Sequence, residues 1–158
     1  MKNKINIGLT VVLLVISTLF SSCLKKDLPA YPLWDGNYIN NVYVEYRYNS
    51  DQTYDGKPIV AYQRLDVDQT IDSAKNTISL NITVPAASGS FTTAVRDQVS
   101  QDSLWVYFDL STAATVAPAG STPKPGYSTD LTKPQSYVVT AANGQQRTWT
   151  IVVSSFTK

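Results

Sequence analysis

Thr77-Ile78-Ser79-Leu80-Asn81-Ile82-Thr83-Val84 decides the fold. Apolar and polar residues alternate through it without a break. A β-strand turns successive side chains to opposite faces, so Ile78, Leu80, Ile82 and Val84 form a buried face and Thr77, Ser79, Asn81 and Thr83 a wet one. Pro85 ends the strand.

The same two-residue period recurs on both sides. From Tyr38 to Tyr48, Val42, Val44, Tyr46 and Tyr48 share one face and Tyr43, Glu45 and Arg47 the other. Asn49 to Pro58 reads as a turn region, tightest at Asp55-Gly56. Ile59 to Val67 is a second strand, and the polar run Asp68 to Asn76 reads as a loop. Downstream, Leu104, Val106, Phe108 and Leu110 face one way and Trp105, Tyr107 and Asp109 the other. Phe91 to Asp102 is the one helix candidate, with Thr92 or Thr93 as its cap and Val95 and Val99 four residues apart. Ser111 to Pro134 is rich in Pro, Gly, Ser and Thr, with Ala113 to Val116 as a short strand inside it.

Gln135 to Val153 is a terminal hairpin turning at Asn143-Gly144. A two-residue turn would set Tyr137 and Val139 on the face opposite Trp149, Ile151 and Val153, because a one-residue slip moves every side chain across the sheet. A three-residue loop, Ala142-Asn143-Gly144, restores a common apolar face through a type I turn with Gly144 left-handed in a bulge. The three-residue loop is therefore expected. About seven short strands with Gly/Pro turns predict an all-β chain folded as a β-sandwich.

The N-terminus carries a different signal. Lys2 and Lys4 precede a mostly apolar run, Ile5 to Phe20, and Ser21-Ser22-Cys23 follows. This is the pattern of a secretory signal peptide. The run is shorter than the roughly 20 residues of a spanning helix. Phe20-Ser21-Ser22-Cys23 resembles the lipobox of bacterial lipoproteins, although leucine is usual three residues before the cysteine. The resemblance implies that Cys23, the one cysteine of the chain, is lipidated and becomes the first residue of the mature protein. Two or three acyl chains anchor stably where one is marginal. Leu24-Lys25-Lys26-Asp27 lacks an aspartate next to the cysteine, the inner-membrane retention signal. Its charges resemble surface-export signals of glycan-foraging Gram-negative gut bacteria. The expected address is the outer membrane, at the cell surface rather than the periplasmic face. The expected organisation is signal peptide 1–22, lipidated tether 23–37 and sandwich domain 38–158.

Removing residues 1–22 leaves 136 residues with 11 basic and 12 acidic side chains. That suits one domain with a real core. The near-neutral charge argues against a nucleic-acid partner. The chain has no histidine, so the commonest general base and metal ligand is missing. No cofactor, metal site or catalytic residue is expected, and the chain reads as a non-enzyme.

The C-terminal stretch Lys133-Pro134-Gln135-Ser136-Tyr137-Val138-Val139-Thr140-Ala141-Ala142-Asn143-Gly144, with Trp149-Thr150-Ile151-Val152-Val153, resembles the last two strands of immunoglobulin-like domains in surface lipoproteins of glycan-utilising gut anaerobes. The resemblance implies an Ig-like sandwich beside starch-utilisation-type outer-membrane machinery. It marks no ligand site.

Trp105 and Tyr107, facing outward, are the sharpest binding candidates, since an aromatic face stacks on the apolar face of a pyranose. Asp109 or Glu45 could take hydroxyl hydrogen bonds, and Tyr43 extends the platform if the first strand and the Leu104 strand share a sheet. The structural alternative is that the tether, Trp34 included, or the Ser111–Pro134 loop covers this face. Asp66, Asp68 and Asp72 read as solvated turn residues. They lack the cleft spacing of a glycosidase pair and the glycine and bidentate acid of a calcium loop. Asp72-Ser73-Ala74 and Asp102-Ser103-Leu104 resemble a short bacterial O-glycosylation motif, which implies modification at Ser73 or Ser103. The function expected is an accessory module that binds polysaccharide or a neighbouring outer-membrane transporter component. The alternative is a structural or adhesive, fimbria-type subunit that accepts a donated strand.

Overall fold

The alternating stretches all form strands in the computed structural model, which describes residues 32–158. The signal segment, Cys23 and the first part of the tether lie outside the described residues. The compact unit runs from Leu33 to Lys158. Its strands are β1 (Ile39–Tyr54), β2 (Lys57–Arg64), β3 (Asp66–Asp72), β4 (Thr77–Thr83), β5 (Leu104–Leu110), β6 (Thr115–Pro118), β7 (Ser128–Thr129), β8 (Gln135–Thr140) and β9 (Gln146–Thr157), with one short helix, α1 (Thr93–Asp97). They make a four-stranded sheet, β2-β1-β5-β7, and a five-stranded sheet, β3-β4-β9-β8-β6. The dry faces of the two sheets meet in one core that includes Val42, Val44, Ile78, Leu80, Ile82, Leu104, Val106, Tyr137, Trp149 and Ile151. The chain is an all-β sandwich.

The hairpin of β8 and β9 closes as expected. Tyr137 opposes Trp149 and Val139 opposes Arg147. The Ala141 N–H donates to the Gln145 carbonyl at 2.8 Å and the Gly144 N–H to the Ala141 carbonyl at 2.9 Å. That leaves Ala142-Asn143-Gly144 as the loop, with Gly144 at φ +87°. Tyr137, Val139, Trp149 and Ile151 consequently share the buried face.

Nine strands are present among the described residues, not about seven. Asp68 to Asn76, expected as a loop, is mostly strand. Asp66 and Asp68 are therefore strand residues, paired opposite Thr83 and Asn81, and of the three acids only Asp72 serves the turn, accepting from the Ala74 and Lys75 N–H groups at 3.1 Å each. The chain changes sheets between β2 and β3 at Leu65, whose side chain enters the core and whose N–H bonds the Val44 carbonyl at 2.9 Å. Gln69 then crosses back from β3. Its side-chain oxygen accepts from the Val42 N–H at 2.9 Å and its amide donates to the Asn40 carbonyl at 3.1 Å. The register of β1 slips at this point, and the glutamine supplies the hydrogen bonds that the slip removes.

Three other boundaries move. β1 runs on to Tyr54 with an irregularity between Asn49 and Thr53, so the turn shrinks to Asp55-Gly56, both at positive φ. The short strand expected at Ala113–Val116 lies at Thr115–Pro118, and α1 is shorter than Phe91–Asp102. Thr92 caps α1 by accepting from the Val95 N–H at 3.3 Å. Finally, β4 and β9 pair in parallel. The link between them is not a helical crossover, because it runs through the other sheet and back.

Candidate functional site

The expected platform rests on whether the first strand and the Leu104 strand are neighbours. They are: β1 and β5 pair antiparallel, with Tyr43 opposite Tyr107, Glu45 opposite Trp105 and Asn41 opposite Asp109. Opposed residues share a face, so Tyr43, Trp105, Tyr107 and Asp109 all stand on the outer face of the four-stranded sheet. β2 and β7 widen it. Arg64 opposes Glu45, Tyr62 opposes Arg47 and Val60 opposes Asn49, while Ser128 opposes Trp105. Ser128, Trp105, Glu45 and Arg64 form one continuous row across four strands. The Tyr43–Tyr107 row lies on one side of it and the Arg47–Tyr62 row on the other, each about 7 Å away along the strands.

The aromatic rings are not bare. Arg64 lies over the Tyr43 ring at 4.9 Å and Arg47 over the Trp105 ring at 5.5 Å, contacts in which the negative face of the ring attracts the guanidinium. Arg64 also pairs with Glu45 at 3.2 Å. That pairing explains why Glu45, on an outward face, is only 7% exposed. The Tyr43 hydroxyl donates to Asp109 Oδ2 at 2.5 Å, and Arg47 donates to the Tyr107 hydroxyl. Trp105 and Tyr107 are half-buried, whereas Val60 and Tyr62 are 62% and 63% exposed. Arg47, Tyr48, Asn49, Val60 and Trp105 line a shallow depression of about 360 Å³.

The structural alternative holds for part of this face. The Gly126 N–H bonds the Val106 carbonyl at 2.9 Å, and a Cβ on Gly126 would stand 3.3 Å from the Tyr107 ring. The loop before β7 thus leans on Tyr107. Trp34 is not a cover. It is 64% exposed, and its carbonyl is held by the Asn143 N–H at 3.1 Å in the β8–β9 loop. The tether instead enters through Asn37, whose carbonyl accepts the Trp149 indole N–H at 2.9 Å.

Alternation along β1 puts Arg47 on this outer face, but no local pattern in the sequence marks it, Asn49, Val60, Tyr62 or Arg64 as part of a site. The remaining candidates lie elsewhere. Ser73 is exposed at the β3–β4 turn, and Ser103 is half-buried with its hydroxyl 3.3 Å from that of Ser128. Among the described residues no cluster of acids is arranged to hold a metal ion, and no helix is long and apolar enough to cross a membrane.

Asp130, in the turn before β8, is held down to about 2, from an ordinary 3.8. The Thr132 hydroxyl donates to it, Lys133 pairs with it at 2.9 Å, and the Thr132 N–H adds a third bond at 3.0 Å. Each favours the charged form. A depressed carboxyl contributes stability that is present above pH 3.8 and lost as pH falls through about 2. Carbon-detected NMR titration is expected to give a midpoint near 2. An unshifted midpoint would mean that the Thr132 and Lys133 contacts to Asp130 are not kept in solution.

Residues 39–152 match the DUF5018-related family. No curated protein matches the chain. Among solved structures, a crystal structure of a Bacteroides fragilis protein inferred to be secreted is 37% identical, with a TM-score of 0.73 over 80% of this chain and 100% of that one.

Proposed function

We propose that this chain, which belongs to the DUF5018-related family, is a non-enzymatic lipoprotein held at the outer membrane through Cys23, and that the outer face of its four-stranded sheet is an accessory binding surface for glycan. The observation that carries this reading is the register of β1 against β5, which sets Tyr43, Trp105 and Tyr107 side by side next to the depression at Arg47 and Val60. Aromatic edges and faces flanked by hydrogen-bonding groups are what a sugar ring needs, and a shallow open site suits a polymer better than a small molecule. A relative inferred to be secreted supports the exported address. The site is centred one row away from the expected one. Trp105 stays in it, Tyr62 and Val60 join it, and Tyr43 and Asp109, already bonded to each other, frame its far side.

A neighbouring uptake component or a fimbrial partner is the second reading. It is supported by the exposed Tyr54, Ile59, Val60 and Tyr62 on the β1–β2 hairpin, whose β2 strand is a sheet edge. Pro58 and Lys57 interrupt that edge near the turn, as protected edges do.

Affinity electrophoresis of the full chain in mild detergent against a polysaccharide panel separates the two readings. Retardation by at least one glycan is expected, with Trp105→Ala weakening it by about tenfold, the scale of one lost stacking contact of about 1 to 1.5 kcal/mol. Retardation that survives Trp105→Ala unchanged would move the site. None across the panel would favour the protein partner, to be sought by cross-linking on cells.

A further inference from the structure

We propose that the ligand of this face is an acidic glycan, one whose sugars bear carboxylate or sulfate groups, with Arg47 receiving the anion beside Trp105. The inference rests on the glycan reading above and names the class of glycan.

The face contains two arginine–aromatic pairs, and they differ in one respect. Arg64 over Tyr43 has its counter-charge, since Glu45 lies 3.2 Å away. Arg47 over Trp105 has none. Among the described residues no carboxylate lies within ion-pair distance of it, and its one hydrogen bond goes to the neutral Tyr107 hydroxyl. A guanidinium has five N–H donors in a fixed fork. One is used here, which leaves an edge able to grip a carboxylate or sulfate through two parallel bonds.

The surroundings favour an incoming anion. No acidic side chain lines the depression that holds Arg47, Asn49, Val60 and Trp105. Of the acids beside it on the β1–β5 pair, Glu45 is engaged by Arg64 and Asp109 by the Tyr43 hydroxyl. Stacking on Trp105 and the bond to Tyr107 hold the guanidinium in place before any ligand arrives, so little side-chain freedom is lost on binding. Asn49 offers an amide for sugar hydroxyls, and the exposed Val60 and Tyr62 offer an apolar wall for the ring. A neutral glycan would use the wall and leave the cation without a counter-charge.

The test runs the full chain, in mild detergent, through native gels holding polygalacturonate or hyaluronate (carboxylates), dextran sulfate (sulfates), or dextran and starch (neutral). The expected result is retardation by at least one acidic polymer and none by the neutral ones. Arg47→Gln should raise the dissociation constant roughly 10- to 100-fold, the range of a lost charge-assisted hydrogen bond. Lys75→Gln removes an equal charge at the β3–β4 turn, on the other sheet, and should change nothing. Whether the retarding polymer carries carboxylates or sulfates identifies the anion. Retardation by neutral polymers that Arg47→Gln leaves intact would overturn the acidic class and keep the glycan reading. Equal losses in the two charge variants would overturn Arg47 as the site. No retardation by any polymer would overturn both readings.

Discussion

Trp149→Ala is expected to lower the unfolding free energy by about 3 to 5 kcal/mol, the range for emptying a buried aromatic site. A domain of this size has about 5 to 15 kcal/mol in all, so the variant would be marginal at 25 °C. Three features place the effect at the upper end. The ring is fully buried, opposite Tyr137 in the middle of the paired stretch of the β8–β9 hairpin. Its indole N–H is the partner of the Asn37 carbonyl, in a residue that is itself buried. Tyr38 packs on it at 6.2 Å, and Arg147 lies over both rings, so Trp149 sits at the centre of the contact that fastens the start of the domain to its last strand. Trp149→Phe keeps most of the volume and loses the hydrogen bond, which should cost about 1 to 3 kcal/mol. Urea unfolding at 25 °C measures both. A loss below 1 kcal/mol in the alanine variant would be incompatible with the ring position described above.

Phe91→Ala should have a comparable effect, about 3 to 5 kcal/mol, through a different part of the molecule. Residues 85–103 pass from one sheet to the other, and the only helix in that passage is five residues long with no acid in its first turn. Such a helix has no stability of its own and forms because it is docked. Phe91 is the dock. It is 1% exposed and exchanges backbone hydrogen bonds with Ser88 at 2.9 and 3.0 Å. Its ring lies 5.9 Å from that of Tyr48, whose hydroxyl is 3.1 Å from the Ser90 hydroxyl. Removing the ring loosens the passage before the sheets. Hydrogen exchange should therefore quicken first at the amides of Arg96, Gln98 and Val99, which make the α1 bonds, while β4 stays protected. Uniform quickening would show that the passage unfolds only with the whole domain.

Where one face is dry and the other wet, the fold was legible. Ile78, Leu80 and Ile82 announced β4, and demanding one apolar face for Tyr137 and Trp149 was enough to choose a three-residue loop over a two-residue one. β3 was hidden for the opposite reason. As an edge strand it buries little, Val67 only in part and Ile71 barely, so its sequence carries no strong alternation. The candidate site was half legible. Alternation placed Trp105, Tyr107 and Tyr43 on outward faces, but which strands adjoin is a tertiary fact, and it alone joins Trp105 to Arg47, Val60 and Tyr62. Glu45 makes the same point. No local pattern shows that an outward acid will be buried by an arginine from a strand nineteen residues away.

The position of β9 has a consequence for how the protein comes into being. The last strand of the chain stands in the middle of its sheet, with β4 on one side and β8 on the other, and the Thr157 carbonyl closes the final bond to the Val84 N–H at 2.8 Å. Until those last residues are available, β3 and β4 have no central strand to join. A chain emerging N-terminus first cannot complete the five-stranded sheet until β9 has emerged. Sheet completion thus waits on a pairing of high sequence separation, the kind that forms slowly, and for that interval the apolar face of β4 lacks its central neighbour.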